Sequence, residues 1–274
     1  MKKSLSLLLL FLSFSSFGID ETATPVASSS LDLADNDGSF NPRKSHWLIN
    51  FNFEGLNYHT DYEFQGARKK FEPKDDFLIG ARMGFGGELY LGAGFMTSTR
   101  VEGYYDAKLF KRDLKADPNV PDVVFSEDKI TSQLIGGDIV QSLSFLFDMK
   151  TKNPLFDQWS YLTVEPFIEA GLGMGWAYNR RNYRYQTGVV DEVYRKRTTE
   201  DLTNLRFGAG IHFTSRSGYF FTMRVTQNNY DVTKKSVKGF QRLTGGSEVD
   251  LGNANPSKNL DPIMVYSLGG GVKF

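Results

Sequence analysis

Over residues 161–178, YLTVEPFIEAGLGMGWAY, the side chains alternate with a period of two. Leu162, Val164, Ile168, Ala170, Leu172, Met174, Trp176 and Tyr178 share one parity. Thr163, Glu165, Glu169, Gly171, Gly173 and Gly175 share the other, with Phe167 as the exception. Successive residues of a strand point to opposite sides, so this stretch is an extended strand with an apolar face and a small or polar one. Two properties constrain it further. The apolar face carries no charge, and the opposite face is built of glycine and isolated ions instead of the lysines and threonines that a water-facing sheet displays. Small residues suit a crowded, concave interior. A charge-free face along a whole strand suits hydrocarbon. In lipid every backbone N–H and C=O must be paired, so such a sheet must close on itself.

The pattern recurs. Strands are expected over HWLINFNFEGLNY with Glu54 on the polar face, FLIGARMG with Arg82 there, a segment from about Leu89 with Arg100, and Lys129–Phe147. In the last of these Gln141 falls on the apolar face and Val140 on the other, which suggests a bulge. Strands follow at 161–178, LTNLRFGAGIHFT with Arg206 and His212, YFFTMRVTQN with Arg224, and the final YSLGGGVKF. That is eight in all. Short connections are expected at about 84–88 (the FGGE turn), 149–159 and 215–218, and long polar ones at about 59–75, 105–128, 179–201 and 229–261. Short and long alternate strictly. Four charged loops of this length are foreign to a compact soluble domain, whereas transmembrane barrels have short turns at one end and long loops at the other. Aromatic residues cluster near strand ends, with Trp47, Phe147, Trp159, Tyr161, Phe213, Tyr219 and Phe274 at the short-turn rim and Tyr58, Phe77, Trp176, Tyr178 and Tyr266 at the other. Aromatic rings gather at both membrane interfaces. The fold class expected is therefore all-β, a closed antiparallel eight-stranded transmembrane barrel.

The ends of the chain agree with this. MKKSLSLLLLFLSFSSFG has two lysines, an apolar run too short to span a bilayer, and small residues before the end, the layout of a cleaved signal peptide over residues 1–18. Residues 19–44 lack any period and read as a flexible leader, which leaves 45–274 for the barrel. The chain stops on Phe274 without a polar tail, as a last strand must if it pairs with the first. SLGGGVKF, with Ser267, Gly269, Val272 and Phe274, resembles the C-terminal signal of bacterial outer-membrane proteins. With the strand count, the chain resembles the small eight-stranded barrels of the OmpA, OmpX and OmpW type, without a peptidoglycan-binding domain. The resemblance implies insertion into a bacterial outer membrane by the barrel-assembly machinery, with lipid and lipopolysaccharide as surroundings.

Chemistry is narrowly bounded. With 32 basic and 32 acidic residues the chain gives no argument for nucleic acid, and with no cysteine it can form neither disulfides nor a thiolate zinc site. Its three histidines, His46, His59 and His212, are placed at different ends, so no His–Ser–carboxylate site and no metal site is expected, and no cofactor. A barrel of eight strands is just wide enough for side chains to fill. Glu54, Arg82, Arg100, Glu165, Glu169, Arg206, His212 and Arg224 are expected inside as paired charges. Arg180, Arg181 and Arg184 in YNRRNYRYQ, just beyond the fifth strand, form a candidate phosphate-binding patch for lipopolysaccharide. The expected role is non-enzymatic, a structural or surface-interaction protein acting through its loops. The alternative is a narrow channel for small or hydrophobic solutes.

Overall fold

A computed structural model describes residues 40–112, 125–152, 159–251 and 261–274. The proposed signal peptide and all but the end of the leader lie outside these residues. Most of the described residues are strand: β1 His46–Thr60, β2 Phe64–Gln65, β3 Lys70–Phe71, β4 Lys74–Gly92, β5 Phe95–Arg112, β6 Phe125–Phe145, β7 Phe147–Lys152, β8 Trp159–Gln186, β9 Asp191–Ser215, β10 Tyr219–Arg242, β11 Val249–Asp250 and β12 Ile263–Lys273.

Eight of these form a ring of antiparallel neighbours in the order β1, β4, β5, β6, β8, β9, β10, β12, and β12 pairs back onto β1. Closure can be checked by walking across the register. From Val225 the partners run Tyr266, Gly55, Ile79, Ala107, Gln133, Tyr178, Thr199 and then Ser236, on the starting strand but 11 residues further along. One of those residues, Thr233, is the extra residue of a β-bulge between Val232 and Lys234. The ladder therefore returns with a stagger of about ten residues, which for eight strands corresponds to a tilt of about 40°. An even stagger lets inward and outward faces meet without conflict. The ends of the chain complete the seam, where Trp47 and Phe274 exchange both backbone hydrogen bonds at 2.9 Å.

The outward face is apolar over a continuous belt: Trp47, Ile49, Phe51 and Phe53 on β1, Phe77 through Leu91 on β4, Ile139 and Leu143 on β6, Ile168 through Trp176 on β8, and Tyr219 through Val225 on β10 are exposed or half-exposed. Exposed apolar area on this scale is incompatible with water as the only solvent. Gln141 does sit in this belt, yet the ladder through it is unbroken and no bulge forms. Its amide bonds Thr97 and Thr99 of β5 at 2.6 Å each, which satisfies it locally while Val140 stays fully buried on the inner side.

The connections differ from expectation in three places. Gly84–Glu88 is not a turn but continuous strand paired with β1 and β5. The reversal lies at Gly92-Ala93-Gly94, all with positive φ (94°, 50° and 86°), a conformation that glycine adopts freely and alanine does not. The hairpin expected at 149–159 starts later, because β7 carries the ladder on to Lys152. Most of the long polar connections are also strand. β8 and β9 stay in register until Gln186 faces Asp191, so only Thr187–Val190 is loop. β10 runs on to Arg242. The wall of the barrel thus rises well above the apolar belt. The lower end below denotes the end with the short turns, and the upper end the other.

Candidate functional site: the lumen side chains and the hairpin above them

The inner parity brings all eight charges expected inside into the lumen, each no more than 6% exposed. They fall into layers. At the lower end Lys273 sits 2.6 Å from Glu165 and 2.9 Å from Glu88. Ser144 donates to the other Glu165 oxygen at 2.5 Å. The His212 ring stacks on Phe167 with centroids 4.4 Å apart and meets Phe220 edge-on. Phe167, the exception to the alternation, is there as a platform for that ring.

The middle layer is an ion cluster of four arginines and four carboxylates. Arg82 bonds Glu54 at 2.8 Å and Asp138 at 2.6 Å. Arg206 bonds Glu102 at 2.7 Å and also Glu169, which in turn is 2.6 Å from Arg100. Arg224 bonds Glu102 at 2.9 Å. Glu102 lies within 3.5 Å of all four guanidinium groups and is fully buried. Charges taken out of water are tolerated only when paired and hydrogen-bonded, and here they balance. Glycines make the space. A Cβ on Gly173 would collide with the Asp138 carboxylate, and one on Gly84 with the side chain of Asn50. Sequence reasoning missed four charged members of these layers, Glu88, Glu102, Asp138 and Lys273, the first because it fell in the expected 84–88 turn. Each was legible from its parity: Glu102 stands two residues after Arg100, and Asp138 two before Val140.

Above the ions lies an apolar layer of Leu56, Tyr58, Leu78, Tyr104, Leu134, Ala177, Leu202, Tyr230, Ile263 and Val265. Tyr58, expected in the outer aromatic rim, is inside this layer, 1% exposed, and donates to Glu200 at 2.9 Å. Even residues of β1 face inward, and the belt on that strand ends before it.

Higher up, the chain between β1 and β4 enters the interior. It folds back as the β2–β3 hairpin and lays Tyr62, Phe64 and Phe71 against Ile130, Tyr183, Tyr185 and Tyr194 on the inner side of the raised wall. Ring centroids lie 5.2–5.6 Å apart between Phe64 or Phe71 and Tyr183 or Tyr194. Polar pins hold it from two sides: the Ala67 N–H and Tyr183 hydroxyl bond Glu192, and Lys69 and Arg181 share Asp128. At the hairpin's base Asp61 pairs with Lys235, which also reaches Glu200 at 3.0 Å. Burial works against the Asp61 carboxylate, but Lys235 and Lys196 outweigh it and hold its pKa below the usual range. Burial pushes the phenols of Tyr62 and Tyr183 well above their ordinary value and that of Tyr194 to about 12.

Arg181 differs from the expected outward patch. It points inward, 6% exposed, with its guanidinium 3.4 Å from the Phe71 ring centre. Arg180 and Arg184 stay on the other face of β8. His59 is at the top of β1 beside Asp61 and Asp75, far along the strand from the level of His212.

No family model matches the chain, and no curated protein does. Solved structures are similar over most of its length. Neisserial surface protein A is 13% identical with a TM-score of 0.35, the match covering 84% of this chain and 97% of that one. The attachment invasion locus protein Ail of Yersinia pestis is 10% identical with a TM-score of 0.31, covering 84% and 99%. A major outer membrane protein of Thermus thermophilus is 12% identical with a TM-score of 0.35, covering 82% and 99%. The ring, its stagger and its belt decide the architecture on their own. The fold is that of a small eight-stranded outer-membrane β-barrel.

Proposed function

We propose that this protein is a non-enzymatic component of a bacterial outer membrane, anchored by its belt and acting at the cell surface through its raised wall and upper connections. The observation that carries the reading is the division of labour between the faces. The outside is apolar around the ring, while the lumen holds a charge-balanced ion cluster with an apolar layer and an aromatic closure stacked above it. A barrel of eight strands leaves little space that such layers do not occupy, so its interior serves stability and the surface serves recognition. Export by a cleaved signal peptide and assembly through the Phe274 signal belong to the same reading. Refolded protein in a planar bilayer tests it. No steady conductance is expected. Discrete, long-lived conductance steps from the wild type would favour the channel instead.

A further inference from the structure

The outer face of the raised wall carries a row of cations that the interior does not explain. Arg180 of β8 is the direct cross-strand partner of Arg197 on β9, and Arg197 is the partner of Lys238 on β10. All three side chains are exposed. Like charges placed directly opposite one another destabilise a sheet. In the lumen the arginines and lysines have carboxylates. Among the described residues none of these three has one: Arg180 bonds only the Asn182 amide, at 3.3 Å, and Arg197 lies over the Tyr178 ring at 5.0 Å. Next to the row Thr199 and Ser236 face each other, and with Arg197 and Lys238 they line a cavity of about 140 Å³. Arg195, held over the Phe240 ring at 5.7 Å, flanks it above.

We infer that this is an anion site, and that its occupant is the phosphorylated sugar head group of a glycolipid in the surrounding leaflet. Two guanidinium forks, an ammonium and two hydroxyls match the many acceptors of a phosphate. Stacking on Tyr178 and Phe240 holds the forks in place before the ligand arrives. The choice of a lipid over a free ion rests on position. The row faces outward, and Arg180 follows Tyr178 and the exposed, belt-ending Trp176 on the same face of the same strand. A neighbouring lipid head group lies where these side chains project. The inference rests on the membrane reading above, so its test carries its own control for folding.

Protein refolded in micelles is titrated with a bisphosphorylated glycolipid, its dephosphorylated form and inorganic phosphate, following the thermal unfolding midpoint. The phosphorylated lipid should raise the midpoint of the wild type. Arg197→Gln with Lys238→Gln should weaken that binding tenfold or more, roughly what one lost charge-assisted hydrogen bond amounts to. Lys74→Gln, an exposed cation across the ring, should leave it unchanged. Equal binding by the double variant, or an equal effect from the dephosphorylated lipid or from inorganic phosphate, overturns the inference. Each variant is first checked for heat-dependent migration in detergent gels. Loss of that shift in the wild type would count against the barrel itself, a separate failure.

Discussion

Single residues in this molecule are judged by the face they occupy. Leu172 points to lipid beside Ile139 and Leu205, so Leu172→Arg should cost about 2–4 kcal/mol in lipid vesicles, as charges near a bilayer midplane do. Arg206→Met breaks a buried cluster from within and leaves Glu102 and Glu169 short of a partner, a loss of about 3–5 kcal/mol. Adding Glu169→Gln should recover part of it. Urea midpoints for both single variants and the double one form a cycle that measures the coupling, and strict additivity would mean the pair is not energetically linked. The parity rule that sorts these residues was visible in the sequence. What hid Glu102 was its place at the margin of a recognised strand, where a carboxylate reads as the start of a loop, whereas Asp138 stood in the middle of 129–147, where the expected bulge at Val140 and Gln141 blurred which parity faces inward. Arg181 was hidden differently. Three arginines within five residues look like one patch, yet adjacent residues of a strand face opposite ways, so Arg180 and Arg181 had to part.

At the level of elements, the β2–β3 hairpin is the part whose behaviour depends on conditions. The tyrosines packed around it, Tyr62 just before β2 and Tyr194 on β9, are held neutral by burial, their folded pKa values lying above the value of about 10 for a free phenol. Their contribution is therefore complete below about pH 10 and is lost as pH rises through the folded values, near 12 for Tyr194. Asp61 acts in the opposite direction. Its depressed pKa contributes above about pH 4 and is lost as acid titrates it. Tyrosinate absorbance should thus show a late-titrating group that moves to ordinary values in Phe71→Ala. The same variant should make trypsin cut at Arg68–Lys70 while the belt stays protected. Unchanged cleavage would show that the aromatic contacts do not hold the hairpin. The sequence did not show this element, because its aromatics fall inside a polar stretch with no sustained period. The true reversal at Gly92–Gly94 was missed for a related reason: Gly86–Gly87 has the composition of a turn, but only backbone dihedrals distinguish a turn glycine from one that makes room for Arg100.

For the whole molecule, the closed ladder makes unfolding all-or-none, since no edge strand is available to peel away. Unboiled protein should migrate differently from boiled protein in detergent gels. Removing Phe274 takes away both hydrogen bonds to Trp47 at the seam and should lower the yield of folded barrel, as read by that same shift. Normal yield would mean that the seam closes without it. The long connections were legible as polar but not as structured, because above a membrane the outer face of a strand turns polar and the buried inner face here is mostly tyrosine, so the contrast between the parities fades. The height of the wall has a consequence of its own. β8 is 28 residues long, about 90 Å of extended chain, and at a tilt near 40° it stands roughly 70 Å tall, against an apolar band of about 25 Å. If the raised wall faces outward from the cell, as proposed above, the surrounding leaflet's sugars would crowd the flanks of this protein rather than cover its summit, and an antibody or phage tail would meet Thr187–Val190 before it met the lipid.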